Sequence, residues 1–193
     1  TPKPSSAASD VYKRQELNMD RYVIAAGIKG EGGEFNANMR NEVFKRFQAK
    51  SSTLPAHFTI KAPFETDDIA KVQEVLEKFV VSEKAHIITM EGYDHFDDRV
   101  IYMPVTLSKE AKEVHDRLID ELMKVPYLNF KDNEGKNKTF HVTITSKKIR
   151  DKFQDIWDYV NSHPYSYEDY FDNITLYKWV PHRWEVYKEY KLL

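Results

Sequence analysis

His57-Phe58-Thr59-Ile60 recurs as His141-Val142-Thr143-Ile144, and how these two tetrapeptides are read decides the fold. Each lies in a run of β-branched and aromatic residues that reads as a strand. Alternate side chains of a strand share a face. His57 with Thr59, and His141 with Thr143, therefore point one way, while Phe58, Ile60, Val142 and Ile144 point into a core. Two such strands facing each other across a cleft would supply a general acid, a general base and two hydroxyl donors for a phosphate. One His-x-Thr alone is a weak signal; the weight comes from its surroundings.

Working outward, the flanks repeat too. Residues 21–28 read as a strand, closed by a turn at Gly30-Glu31-Gly32-Gly33. A helix is expected over 38–50, with Val43, Phe44 and Phe47 inward and Pro55 as its stop. The first motif strand spans 57–62, followed by a helix over 67–80 with Ile69, Val72, Leu76 and Phe79 at helical spacing, then a strand at 86–90. After a polar stretch at 92–98 the order restarts. A strand at 99–105 leads to a helix capped by Ser108 and running to 123, with Ala111, Val114, Leu118 and Leu122 inward. A polar loop at 129–138 precedes the second motif strand. A helix over 148–162 follows, burying Ile149, Phe153, Ile156 and Val160, and then two strands near 172–179 and 184–192, joined by Val180-Pro181-His182.

The expected class is α+β, built from duplicated β-α-β-α-β units with the motif strand in the same slot of each. Such a repeat predicts two lobes related by a pseudo-twofold axis, at about 19–95 and about 99–193, with strand exchange between them an option. His57 and His141 would then stand on opposite walls of one cleft.

Composition sets bounds. At 193 residues and 41% hydrophobic, the chain suits one domain or two small lobes. Residues 1–18 lack apolar periodicity and read as a non-native disordered tail, with Met19 as the natural start. The tail carries Lys3, Lys13 and Arg14 against Asp10 and Glu16, so from the net −2 of the whole chain the remainder is left about three charges negative. That balance argues against coating long nucleic acid, which needs many cations to displace counterions, but allows a basic pocket for a small phosphorylated ligand. No run of some twenty apolar residues and no signal peptide is visible, so a soluble, cytoplasmic monomer away from membranes is expected. With no cysteine, disulfides and thiolate metal sites are excluded.

Alternation nominates two further residues. Lys61 and Thr145, each i+4 from its histidine, should share the histidine's face and meet the phosphate. Tyr177 and Trp179, in an aromatic C-terminal third, are candidates for stacking a base, although sheet core is the commoner role of such residues. His115 reads as a core histidine. A metal hydrolase using His95, Asp97 and Asp98 is a weak alternative, and no metal or cofactor is expected.

The paired motifs, their placement and the chain length resemble the two-histidine phosphoesterase superfamily, the LigT-like or 2′-5′ RNA ligase-like proteins. Pro55 stands near the first histidine as family members often have it, whereas Thr139-Phe140 precede the second. The resemblance covers nearly all of residues 19–193. It implies a bilobal fold whose antiparallel sheets line a cleft, with the helices outside. It also implies metal-independent hydrolysis of 2′,3′-cyclic phosphates or 2′-5′ phosphodiesters of RNA ends or nucleotides. His57 and His141 would be the acid–base pair, and Thr59 and Thr143 the phosphate donors. A nucleotide- or RNA-binding module without turnover, or an RNA 2′-5′ ligase, are the alternatives.

Overall fold

Nine strands and four α-helices form among residues 19–193, which the computed structural model describes; the tail expectation for residues 1–18 lies outside them. In chain order they are β1 (Asp20–Gly27), α1 (Glu31–Phe47), β2 (His57–Thr66), α2 (Ala70–Val80), β3 (His86–Glu91), β4 (Asp94–Phe96) and β5 (Val100–Leu107). Then come α3 (Lys109–Leu122), β6 (His141–Thr145), α4 (Phe153–Asn161), β7 (Ser166–Phe171), β8 (Asn173–Val180) and β9 (Arg183–Lys191).

Two antiparallel sheets result. The first has the order β2-β1-β8-β9. In the second, β5 is central: β6 pairs with one edge, while β3 and then β4 pair with the other, and β7 lies beyond β3. The β3 and β4 registers are offset by one residue around Gly92, whose φ of +76° suits glycine. The strand β3, from the first half of the chain, thus sits in the second sheet, while β8 and β9, from the second half, complete the first. Each motif strand is an edge strand beside the strand that opens its own repeat, and β2 and β6 approach each other.

One apolar core links both sheets to the helices. Phe58 from β2 meets Phe140 and Phe171 edge-on, at 5.6 and 5.3 Å between centroids. Val72, Leu76 and Phe79 of α2, and Ala111, Val114, Leu118 and Leu122 of α3, are buried as their helical spacing predicts. Ser108 caps α3 by accepting from the Ala111 N–H at 3.2 Å.

The start of α1 departs from expectation. Gly30 to Gly33 is not a turn: Gly30 is the N-cap and the helix begins at Glu31, with Glu31 and Glu34 favourably placed against its N-terminal dipole. The glycines serve close packing, since a Cβ on Gly33 would fall 2.1 Å from the Ile28 carbonyl oxygen. The helix ends at Phe47 because Gln48 adopts the left-handed region (φ +60°), its N–H returning to the Phe44 carbonyl. The inward stripe is Gly32, Gly33, Asn36, Met39 and Val43, and Phe44 is 42% exposed rather than inward. The last helix is shorter than expected, beginning at Phe153 after a 3₁₀ turn at Arg150–Lys152.

Candidate active site

The residues that open each motif strand hold its histidine in the same way. His57 Nδ1 lies 2.7 Å from the Pro55 carbonyl oxygen, and His141 Nδ1 lies 2.9 Å from that of Thr139. A carbonyl only accepts, so each Nδ1 carries the proton and each Nε2 is left with its lone pair. Both rings are half-buried, as are Thr59 and Thr143. Gly27 pairs with His57 and Ala25 with Thr59 in the first sheet; Pro104 pairs with His141 and Tyr102 with Thr143 in the second. In each strand, therefore, imidazole and hydroxyl share a face.

Burial dominates the electrostatics. It pushes the His57 pKa down to about 4, the Pro55 carbonyl partly opposing this while the charges of Arg40 and His141 add to it. Burial also lowers His141, opposed by the Thr139 carbonyl and assisted by the Lys138 ammonium. Both rings are neutral in the free protein at pH 7. His141 is further held by edge contacts with Phe96 and Tyr102, each 5.1 Å between centroids.

A cavity of about 520 Å³ opens between the motif strands and the 129–138 loop, lined by Thr59, His141, Phe96, Lys131 and Lys138 among others. His57 and Thr143 line a much smaller pocket with Asn36 and Arg40 of α1. Each hollow thus receives a histidine from one motif and a threonine from the other.

Neither Lys61 nor Thr145 takes the place that alternation assigned. Each motif strand carries a β-bulge just after its threonine, between Thr59 and Lys61 and between Thr143 and Thr145. The bulge returns the i+4 residue to the core face. Lys61 opposes Ile24 and is 4% exposed, its Nζ 3.3 Å from Glu134 Oε2 and 5.2 Å from the Phe130 ring centroid. Thr145 opposes Ile101 and is buried, its hydroxyl donating to the Lys50 carbonyl at 3.0 Å.

The ammonium beside His141 is instead Lys138, which donates to the Ile60 carbonyl at 2.7 Å. Burial lowers its pKa to about 8, Glu134 opposing the shift. Nothing in the sequence singled out Lys138 from its loop. Asn36 carried a signal, a polar residue on the inner stripe of α1 one turn before Arg40, visible only once the helix is begun at Glu31.

Tyr177 is 3% exposed, its ring packed with Val23, Ala25 and Leu54, and no face is left open for a base. Trp179 is 39% exposed and meets Trp184 edge-on at 5.2 Å between centroids. The metal alternative is not assembled. His95 Nδ1 is held by the Asp97 carbonyl, Asp97 pairs with Arg99 and Asp98 with Arg150, and among the described residues no three His, Asp or Glu side chains converge as a metal site would need.

A family model of the 2′-5′ RNA ligase superfamily matches residues 39–183, a span containing both motifs. "Putative phosphoesterase OB1230" of Oceanobacillus iheyensis is 26% identical over 157 residues, which cover 79% of this chain and 88% of that protein. The crystal structure of Escherichia coli LigT complexed with 3′-AMP superposes with a TM-score of 0.61 at 14% identity, covering 90% of this chain and 98% of LigT. TT0787 of Thermus thermophilus also gives 0.61 at 11% identity, covering 89% and 97%. The bilobal α+β architecture of LigT is thus the fold of this protein. With the family match spanning both histidine motifs, the chain belongs to the 2′-5′ RNA ligase superfamily, the LigT-like group of two-histidine phosphoesterases.

Proposed function

We propose that the protein is a metal-independent phosphodiesterase that opens a 2′,3′-cyclic phosphate, or cuts a 2′-5′ bond, of a small nucleotide or RNA end. The observation that carries this is the matched pair of imidazoles, each fixed through Nδ1 to the carbonyl two residues upstream with its Nε2 left free, and the charge of His141 felt at His57. In hydrolysis one Nε2 takes a proton from water as its oxygen attacks phosphorus, and the other imidazole, protonated, gives its proton to the departing ribose oxygen. Thr59 and Thr143 donate to the non-bridging oxygens as charge builds on them. Both rings begin neutral, and the arriving phosphate anion offsets the burial that kept them so, letting one ring hold the proton the leaving group needs. The cavity is of nucleotide size. LigT, of the same fold, has been crystallised with 3′-AMP, ATP and NADP+.

The test is a panel of nucleoside 2′,3′-cyclic phosphates and 2′-5′ oligonucleotides assayed in excess chelator. Turnover that persists in chelator and disappears in His57→Ala and His141→Ala, with the fold intact by circular dichroism, is the expected result. Turnover that stops in EDTA and returns with zinc or manganese would refute metal independence. Binding without product, equal in wild type and His57→Ala, would make the protein a nucleotide-binding module instead.

A further inference from the structure

The half-buried guanidinium of Arg40 stands beside His57 and has no acidic partner among the described residues. Its Nε donates to Ser51 Oγ at 2.9 Å and its Nη2 to the Ser52 carbonyl at 2.8 Å, both neutral acceptors. Burial lowers its pKa and no neighbouring carboxylate raises it. Five other arginines, Arg46, Arg99, Arg117, Arg150 and Arg183, each reach an Asp or Glu. A cation drawn out of water costs free energy unless an anion meets it.

The place it occupies says which anion. One helical turn before Arg40, the fully buried Asn36 donates through Nδ2 to the Thr143 carbonyl at 3.1 Å, tying this part of α1 to the second motif strand. Its Oδ1 is buried with no partner. Asn36, Arg40, His57 and Thr143 line one narrow hollow of about 10 Å³, so an anion would meet the guanidinium at its rim rather than inside it. The helix therefore delivers an uncompensated, fork-shaped donor to the wall where the first histidine and the second threonine meet. A guanidinium matches a phosphate's oxygens with two parallel N–H donors.

We infer that Arg40 is a further binding residue of this site, meeting the substrate's phosphate from the His57 side, opposite Lys138. The inference rests on the phosphodiesterase reading for the identity of the substrate, but not for the binding of phosphate. It gives the charge a second consequence. Until an anion arrives, Arg40 discourages protonation of His57; once the phosphate neutralises it, that restraint is lifted and the ring can hold the catalytic proton.

The experiment compares wild type, Arg40→Gln, Arg40→Lys and Ser51→Ala in three measurements: affinity for inorganic phosphate, kcat and KM on a nucleoside 2′,3′-cyclic phosphate, and titration of the His57 ring by NMR. Arg40→Gln is expected to weaken phosphate binding and kcat/KM by about tenfold or more and to raise the His57 pKa in the free protein. Arg40→Lys should recover part of the affinity. Ser51→Ala, which keeps the guanidinium but removes its hydroxyl partner, should bind phosphate as wild type does. If Ser51→Ala loses as much as Arg40→Gln, or if Arg40→Gln binds phosphate normally and leaves His57 unmoved, Arg40 only staples the 51–52 segment and the inference falls. Arg40-dependent phosphate binding without turnover on any substrate would instead sink the catalytic reading and leave Arg40 standing.

Discussion

In the proposed reaction a histidine acting as base must be neutral, and burial with the nearby positive charge holds the His57 pKa near 4, below the ordinary 6.5 of imidazole. A depressed pKa extends the base form towards acid, so the acid limb of kcat/KM for the free enzyme should lie well below pH 6.5. A limb at or above that value would contradict the burial seen here. Replacing either histidine with alanine should cost about 10²- to 10⁴-fold in kcat, the usual worth of a positioned acid or base. The two lysines near the cleft separate stability from function. Removing Lys61 leaves Glu134, 15% exposed, without its ion-pair partner. Lys61→Met should therefore cost about 3 kcal/mol in urea unfolding, while the folded fraction keeps kcat/KM near wild type. Lys138→Met gives up one charge-assisted hydrogen bond, about 2 kcal/mol, but removes a half-buried ammonium from the cavity. Its loss should fall on KM, and equal kinetic effects from both variants would refute the exchange of roles. Lys61 was misplaced in sequence because alternation assumes an unbroken ladder, and a bulge leaves no mark in residue type.

Among the elements, those with strong periodicity were legible: β1, the motif strands, α2, α3 and the closing hairpin. The strands β4 and β7 were not. Asp-His-Phe is too short to show a period, and Ser-Tyr-Glu-Asp-Tyr-Phe buries an aspartate, Asp169, on the face where Phe171 is buried. Asp169 is satisfied there by accepting from the Gly30 N–H at 3.0 Å, a contact between distant parts of the chain that local pattern does not announce. The start of α1 was lost for the opposite reason, since its glycines mimic a turn while serving a close approach. That difference is testable. In an ordinary helix Gly→Ala stabilises by about 1 kcal/mol. At Gly33 the added methyl group meets the Ile28 carbonyl, part of the backbone and unable to swing aside. Gly33→Ala should therefore lower stability by a few kcal/mol, on the order of other core overpacking, and by moving α1 it should weaken catalysis through Asn36 and Arg40. A neutral or stabilising Gly33→Ala would show that the helix start is looser than this packing implies.

For the molecule as a whole, the two repeats complete each other's sheets and share one core. His115 lies in that core. It is fully buried on α3, edge-on to Phe140 at 4.8 Å, and its Nδ1 is 3.0 Å from Asp116 Oδ1 while Nε2 has no partner. Protonation would bury an unsatisfied N–H. Burial first, and then the Lys138 charge, hold its pKa at about 4, with Asp116 opposing. In the unfolded chain the same ring titrates near 6.5. Between those values the unfolded state binds a proton that the folded state refuses, so stability falls as the pH drops from about 6.5 to about 4 and is unaffected by this group above 6.5. The shift corresponds to about 3 kcal/mol. Other groups also titrate across this range, His57 among them, but they do so in any His115 variant, and the comparison cancels them. Urea unfolding of wild type and His115→Gln at pH 7 and pH 4 should show a smaller acid loss in the variant, by up to that amount. Parallel losses in the two proteins would mean that the core admits water or relaxes around the imidazolium. The acid sensitivity of the fold would then belong to the carboxylates and to His57, and not to the histidine closed inside the shared core.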